Sequence, residues 1–181
     1  MDRRQKKTRQ AVFQAFTRLL EKKSYSNITV QEIIDEANIG RSTFYSHFET
    51  KDELLKALCT EIFEHVFSDD LKQENTHDFS SGGKGIKAKI THILYHLQDS
   101  HSYIASILSC ESGEMFMRYF KEYLEKVFEG ELEKHKTDVP KEYMLNHMVC
   151  DFAETVRWWM KHLNYSPEEI SNFFFTTTPF A

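Results

Sequence analysis

Glycine and proline are scarce. The 181-residue chain holds six Gly and three Pro, so short connections and a mostly helical chain are expected. Cysteine is rarer still. Cys59, Cys110 and Cys150 stand alone, with no C-x-x-C spacing. Three thiols cannot all pair within one chain, which excludes a disulfide framework and makes a reduced, cytoplasmic protein the expectation. No run comes near the roughly eighteen apolar residues of a membrane span, so no membrane contact is expected. The charged N-terminal stretch also lacks the apolar centre of a secretion signal. The usual catalytic fingerprints are missing: there is no P-loop, no dinucleotide-binding glycine pattern, no G-x-S-x-G and no H-E-x-x-H. The abundant carboxylates read as solvated helix faces. An enzyme is therefore not expected, and the sequence calls for no cofactor.

What is present is aromatic and unevenly charged. Fifteen Phe residues imply a ring-rich core, or a ring-lined pocket within it. The net charge of −5 divides sharply. Residues 1–51 carry ten Lys and Arg against six Asp and Glu, a net of +4, and the remainder is −9. A basic head on an acidic body favours an anionic partner for the head alone, although a chance charge run would look the same.

Helical periodicity covers most of the chain. Val12, Phe13, Phe16, Leu19 and Leu20 make one face of a helix over 5–22. Turn formers interrupt at 24–28. Thr29 with Glu32 forms a capping box for a short helix whose inner face is Val30, Ile33, Ile34 and Ala37. Asn38-Ile39-Gly40 reads as a tight turn, and Asn tolerates a left-handed backbone. A second short helix over 41–48 turns Phe44 and Phe48 inward, four residues apart. Thr50 and Glu53 signal a further cap, followed by a helix to about residue 67. The stretch 68–85 is polar, acidic and rich in Gly and Ser, and reads as a loop. Helices are then expected over 86–98, 101–109, 113–136 and 140–162. A last one opens at Ser166-Pro167 and ends in a frayed TTTPFA tail. The expected fold class is all-α, with about nine helices and no strand.

Two short helices joined by a tight turn behind a longer support helix form a helix-turn-helix. In such a unit the second helix enters the major groove of DNA. This accounts for the mixed stretch NIGRSTFYSHFETK at 38–51, in which Phe44 and Phe48 hold the helix to a core while the polar set faces outward.

The segment from Thr29 to Leu55, TVQEIIDEANIGRSTFYSHFETKDELL, closely resembles the DNA-binding signature of the TetR/AcrR family of bacterial repressors. That pattern runs T-x-x-x-I-A-x-x-A-G-V, then T-F/L-Y-x-H-F, then K-x-x-L-L. Ile34 stands where the family often has Ala, and Asn38-Ile39 where it often has Gly-Val; both changes conserve shape. The resemblance implies a helix-turn-helix domain over 1–51 and a helical effector-binding and dimerisation domain over 52–181. It implies a homodimer on a palindromic double-stranded DNA operator, usually as a repressor released by a small-molecule effector.

Carried over by position, Arg41, Ser42 and Thr43 open the recognition helix and meet bases or phosphates. For Arg41, a bidentate bond to guanine and a phosphate contact are both open. Tyr45 and His47 match positions that contact the DNA backbone, with a structural role for His47 as the alternative. Ser46 is a weaker candidate because its side chain is short. Lys51 matches a phosphate-contacting lysine, and Thr29 is both cap and phosphate donor. Arg3, Arg4, Lys6 and Lys7 form either a minor-groove arm or a disordered basic tail.

In the body, the resemblance assigns the last two helices to a dimer interface built on Phe152, Val156, Trp159, Ile170, Phe173 and Phe174. Candidate lining for an effector pocket is Phe63, Phe67, Tyr95, Tyr103, Phe116, Met117, Phe120 and Trp158; plain core packing is the simpler reading of each. A ring-rich cavity suits an apolar or aromatic effector. Two rivals remain on the same scaffold. His92 and His96, four apart with His101 near, have a spacing that can hold a transition metal. A regulator controlled by a protein partner, with no small-molecule effector, is the other.

Overall fold

The structure is a computed structural model that describes residues 3–67, 85–108, 112–133 and 138–178. The side chains of 62–67 and of 112 lie outside that description. Among the described residues there are nine α-helices and no strand. They are α1 (Arg3–Lys22), α2 (Val30–Glu36), α3 (Arg41–Tyr45), α4 (Lys51–Phe67), α5 (Ile86–Asp99), α6 (His101–Leu108), α7 (Ser112–Leu132), α8 (Lys141–Trp159) and α9 (Pro167–Thr177). A one-turn 3-10 helix, Tyr25–Asn27, precedes α2. No described helix is long and apolar enough to cross a membrane. The segment 68–84, expected as a loop, lies outside the described residues.

The helices gather into two compact units. One joins Met1–Thr60 with Ser102–Phe116, and the other joins Glu61–His101 with Met117–Ala181. In the first unit, Val12, Phe13, Ala15, Phe16 and Leu20 of α1 are all buried. Phe44 and Phe48 are fully buried against this face, with ring centroids 5.9 Å apart, and Phe48 lies 5.8 Å from Phe13. Burying each such ring is worth about 1.5–3 kcal/mol, so α3 is held by its aromatics rather than by its own five residues. The Asn38 backbone sits in the left-handed region at φ 53°, the conformation the turn signal implied. Gly40 is the N-cap of α3 at an ordinary φ of −79°. α6 belongs to this unit as well. Ser102 Oγ donates to Glu21 at 3.1 Å, and Ser106 Oγ donates to the Lys23 carbonyl at 3.4 Å.

The second unit is built on α5, α8 and α9. Phe174 packs against Phe152 at 5.0 Å and Phe128 at 5.9 Å, and Phe120 meets Phe152 at 6.1 Å. All four rings are buried. Thr91 Oγ1 and Ser171 Oγ lie 2.9 Å apart in the α5–α9 contact and satisfy each other where water is absent. The α9 start is a full capping box, with Ser166 and Glu169 exchanging bonds and Pro167 at the first helical position. Its end differs from the frayed tail expected at 176–181. Thr176 and Thr177 stay helical, and Thr178 is buried, with its hydroxyl near the Phe174 carbonyl and Asp151. The hydroxyls of Thr176, Thr177 and Thr178 each donate to a carbonyl four residues back, so these side chains are satisfied where composition reads as loop.

Candidate nucleic-acid interface

The reading face is set by what holds α2 and α3 from behind. Thr29 caps α2 in both directions. Its Oγ1 accepts from the Glu32 N–H at 3.2 Å, and Glu32 Oε2 accepts from the Thr29 N–H at 2.8 Å. The Thr29 hydroxyl also donates to Glu32 at 2.9 Å, while the Lys23 ammonium pairs with the other carboxylate oxygen. Lys23 and then the Thr29 bonds pull the Glu32 carboxyl from 4.5 down to about 2. The capping half of the expectation for Thr29 is met. The phosphate-donor half competes with Glu32 for the single hydroxyl proton.

Lys51 departs further from its expected role. Its ammonium turns inward, donating to the Tyr25 carbonyl at 2.7 Å and the Ile28 carbonyl at 2.8 Å, and lies 4.2 Å from the Tyr25 ring. Tyr25 in turn donates to Asp52. The Tyr25 carbonyl already accepts the Ile28 N–H at 3.1 Å, and the lysine at the α4 start adds a second donor there and supplies one to the Ile28 carbonyl. The α4 cap is Thr50, as expected, and only the return bond of the box is displaced by one residue. Thr50 Oγ1 accepts from the Glu53 N–H at 3.0 Å, but the Glu53 carboxylate takes the N–H of Glu49, at 2.6 Å.

The N-terminal basic cluster is neither an extended arm nor a tail. Arg3, Arg4, Lys6 and Lys7 lie exposed on the first turns of α1. Lys and Arg are good helix formers, and the Thr8 hydroxyl bonds back to the Arg4 carbonyl.

On α3 itself, Arg41, Ser42, Tyr45 and Ser46 are exposed, opposite buried Phe44. Tyr45 is 54% exposed and stands edge-on to the Phe44 ring at 5.5 Å. The Ser46 hydroxyl is turned back onto the Thr43 carbonyl at 2.8 Å, which weakens its candidacy further. Thr43 and His47 are half-buried, with His47 6.2 Å from the Phe48 ring. Arg41 is held by Gln31 of α2 at 2.9 and 2.6 Å. Sequence reading missed Gln31. Its only signal was position, as a polar residue on the outward face of α2. Arg9, stacked over Phe13 at 4.9 Å and Phe48 at 5.4 Å, was missed for the same reason.

This head matches a known pattern. Residues 13–58 match the profile described as bacterial regulatory proteins, tetR family, and residues 86–179 match a transcriptional regulator C-terminal region of the same group. The chain belongs to the TetR family. A TetR transcriptional regulator from Streptococcus agalactiae 2603V is 32% identical, with 98% of this chain and 96% of that one superposed at a TM-score of 0.74. The dhaKLM operon transcriptional activator DhaS of Lactococcus lactis is 25% identical over 155 residues, 83% of this chain and 78% of DhaS. The Bacillus subtilis regulator YxbF is 42% identical over 71 residues, 36% of this chain but only 19% of YxbF.

As a TetR-family chain it carries the rest of its candidate residues in the body. The residues expected at a dimer interface divide by burial. Phe152, Val156, Trp159 and Ile170 are fully buried and Phe174 nearly so, all within the chain's own core. Trp159 also donates its Nε1–H to the Tyr165 carbonyl at 2.9 Å. Only Phe173, 44% exposed, faces outward. Trp158, expected to line a pocket, is instead 44% exposed, stacked on His162 at 4.2 Å. With Phe173, Thr155 and Thr177 it flanks an open groove of about 370 Å³ between α8 and α9.

The other pocket candidates fall in both units. Tyr103 and Phe116 fall in the first unit. In the second, Met117 and Phe120 are buried core, and the Tyr95 hydroxyl donates to Glu168. That bond pushes the Tyr95 phenol up to about 12. Phe63 and Phe67 lie on α4, with side chains outside the described residues. His92 and His96 are buried, not exposed as such helix histidines usually are, with their Nε2 atoms 2.9 Å apart. His101 turns away to within 3.3 Å of the Met160 carbonyl. Among the described residues no cluster of three or more His, Cys, Asp or Glu is placed to hold a metal. Burial pushes the Cys59 thiol up to about 12, which makes it inert.

Proposed function

We propose that the protein is a cytoplasmic DNA-binding regulator that acts as a homodimer on a palindromic operator, with residues 1–51 as the reading head and 52–181 as the dimerising, effector-responsive body. The observation that carries this is the outward set of Arg41, Ser42 and Tyr45 on a short helix anchored by Phe44 and Phe48. Thr43 and His47 flank it. Phosphate contacts would fix orientation, and Arg41 would supply base reading. The dimer surface is the outer face of α8 and α9, centred on Trp158 and Phe173. Large apolar side chains left wet beside one groove favour burial against a second copy.

An apolar or aromatic effector would act by favouring a head spacing that no longer matches successive major grooves. Release of the operator makes the protein a repressor. A second reading, activation, is supported by DhaS, a dhaKLM operon transcriptional activator 25% identical to this chain over 155 residues. The test is recovery and sequencing of genomic fragments bound by the purified protein. The expected result is a palindrome with half-sites about 10 base pairs apart, centre to centre. Diffuse binding, or none at low salt, would overturn the proposal. A reporter downstream of the recovered site then separates the two directions of control.

A further inference from the structure

Arg41 does not project alone. Its Nε–H and Nη2–H both point to Gln31 Oε1, at 2.9 and 2.6 Å, across the α2–α3 turn. Gln31 Nε2 donates in turn to Asp35 Oδ1 at 2.7 Å, four residues along α2. The two neighbours fix the amide between them. Rotated by half a turn, Gln31 would set its NH2 against the guanidinium and its oxygen against the carboxylate, and both contacts would repel. The side edge of the guanidinium is thereby occupied. The end edge, with parallel N–H bonds on Nη1 and Nη2, is not used by that contact, and the side chain is exposed. That edge matches the paired acceptors O6 and N7 of guanine in the major groove.

We infer that Gln31 is a specificity-determining positioning residue, which locks Arg41 so that its end edge reads a guanine. A phosphate tether gains less from a fixed fork, because a phosphate can be met from several directions. A base edge requires one direction, and holding the long side chain in advance removes the entropy that reading would otherwise cost. Asp35 completes the arrangement by orienting Gln31, and it lowers the local positive charge that indiscriminate phosphate binding would use.

The inference rests on Arg41 meeting DNA, and the experiment separates the two claims. Wild type and the full-length variants Arg41→Ala, Gln31→Ala, Gln31→Glu and Gln31→Glu with Asp35→Asn are each used to select binding sites from random duplexes, and salt dependence is measured on the best site. Arg41→Ala is expected to erase a preference of about tenfold or more at one G·C pair in each half-site. Gln31→Ala should weaken that same preference at least about threefold, leaving other positions and the salt slope unchanged. Gln31→Glu keeps the acceptor but sets its second oxygen against the Asp35 carboxylate, so it should restore most of the preference only when combined with Asp35→Asn, whose amide can donate to it. The Gln31 and Asp35 substitutions change exposed side chains, and thermal melting verifies that the variants fold. If Gln31→Ala weakens all sequences equally, or flattens the salt slope, Gln31 is a backbone contact and the inference is wrong. An unchanged selection profile for Gln31→Ala beside an altered one for Arg41→Ala also overturns it, with the reading of Arg41 intact. If Arg41→Ala leaves the profile untouched, both claims fall.

Discussion

At the scale of single residues, the head is held by charges that also set its response to acid. Glu32 takes bonds from Lys23 and Thr29, and its folded pKa near 2 lies below the ordinary 4.5. A depressed carboxylate stabilises the fold above its unfolded pKa, and that contribution is lost as pH falls from about 4.5 toward 2. Glu32→Gln keeps a cap acceptor but removes the charge. Its melting temperature should be flatter than that of wild type across this window; parallel curves would show that Lys23 does not favour the ionised form. Lys51 gives a second prediction, because the sequence pattern and the structure assign it different partners. Lys51→Met should cost about 1–3 kcal/mol of stability by stranding the Ile28 carbonyl and removing the second of two bonds to the Tyr25 carbonyl. On folded protein it should leave the salt slope of DNA binding unaltered. A slope reduced by about two on the full operator, one for each head of the dimer, would return Lys51 to the phosphate backbone.

At the scale of helices, starts were legible and outward faces were not. Thr29 with Glu32, and Ser166 with Pro167 and Glu169, mark helix N-termini by side-chain chemistry that acts within four residues, so local sequence suffices. The left-handed turn at Asn38 is legible for the same reason. Which aromatic of Trp158 and Trp159 lies inside is not a local matter. Adjacent rings place apolar groups on both sides of α8, and Phe173, Phe174 and Phe175 do the same on α9, so periodicity alone admits either face. The packing of α9 on α5 and α8 decides it. Pairs such as Gln31 and Arg41 are hidden for a related reason, since they depend on how α2 crosses α3. The junction of α6 and α7 carries its own prediction. A Cβ at Gly113 would stand 3.0 Å from both the Cα and the carbonyl oxygen of Leu108. Backbone cannot yield as a side-chain tip can, so Gly113→Ala should destabilise by about 1–3 kcal/mol in chemical denaturation. A neutral result would show that the two helix ends separate freely.

At the scale of the whole molecule, the number of phosphates met depends on both the head and the dimer. Signature matching alone would place three or four phosphate contacts in each half. With Lys51 turned to carbonyls and Thr29 held by Glu32, about one or two remain. A dimer would then neutralise about two to four phosphates, and log affinity should fall against log salt with a slope of about −2 to −4. A steeper slope near −7 would mean that Lys51 and Thr29 release their internal partners on DNA. The same measurement reports on α8 and α9. Trp158→Ala with Phe173→Ala removes two rings that each leave 44% of their surface wet, so the monomer core should survive. Sedimentation should show the pair of substitutions converting dimer to monomer. The salt slope should then fall to roughly half, because each head engages its half-site alone. A double variant that stays dimeric with an unchanged slope would move the interface away from this face. Monomeric protein that kept the full slope would instead mean that one head contacts the phosphates assigned here to two.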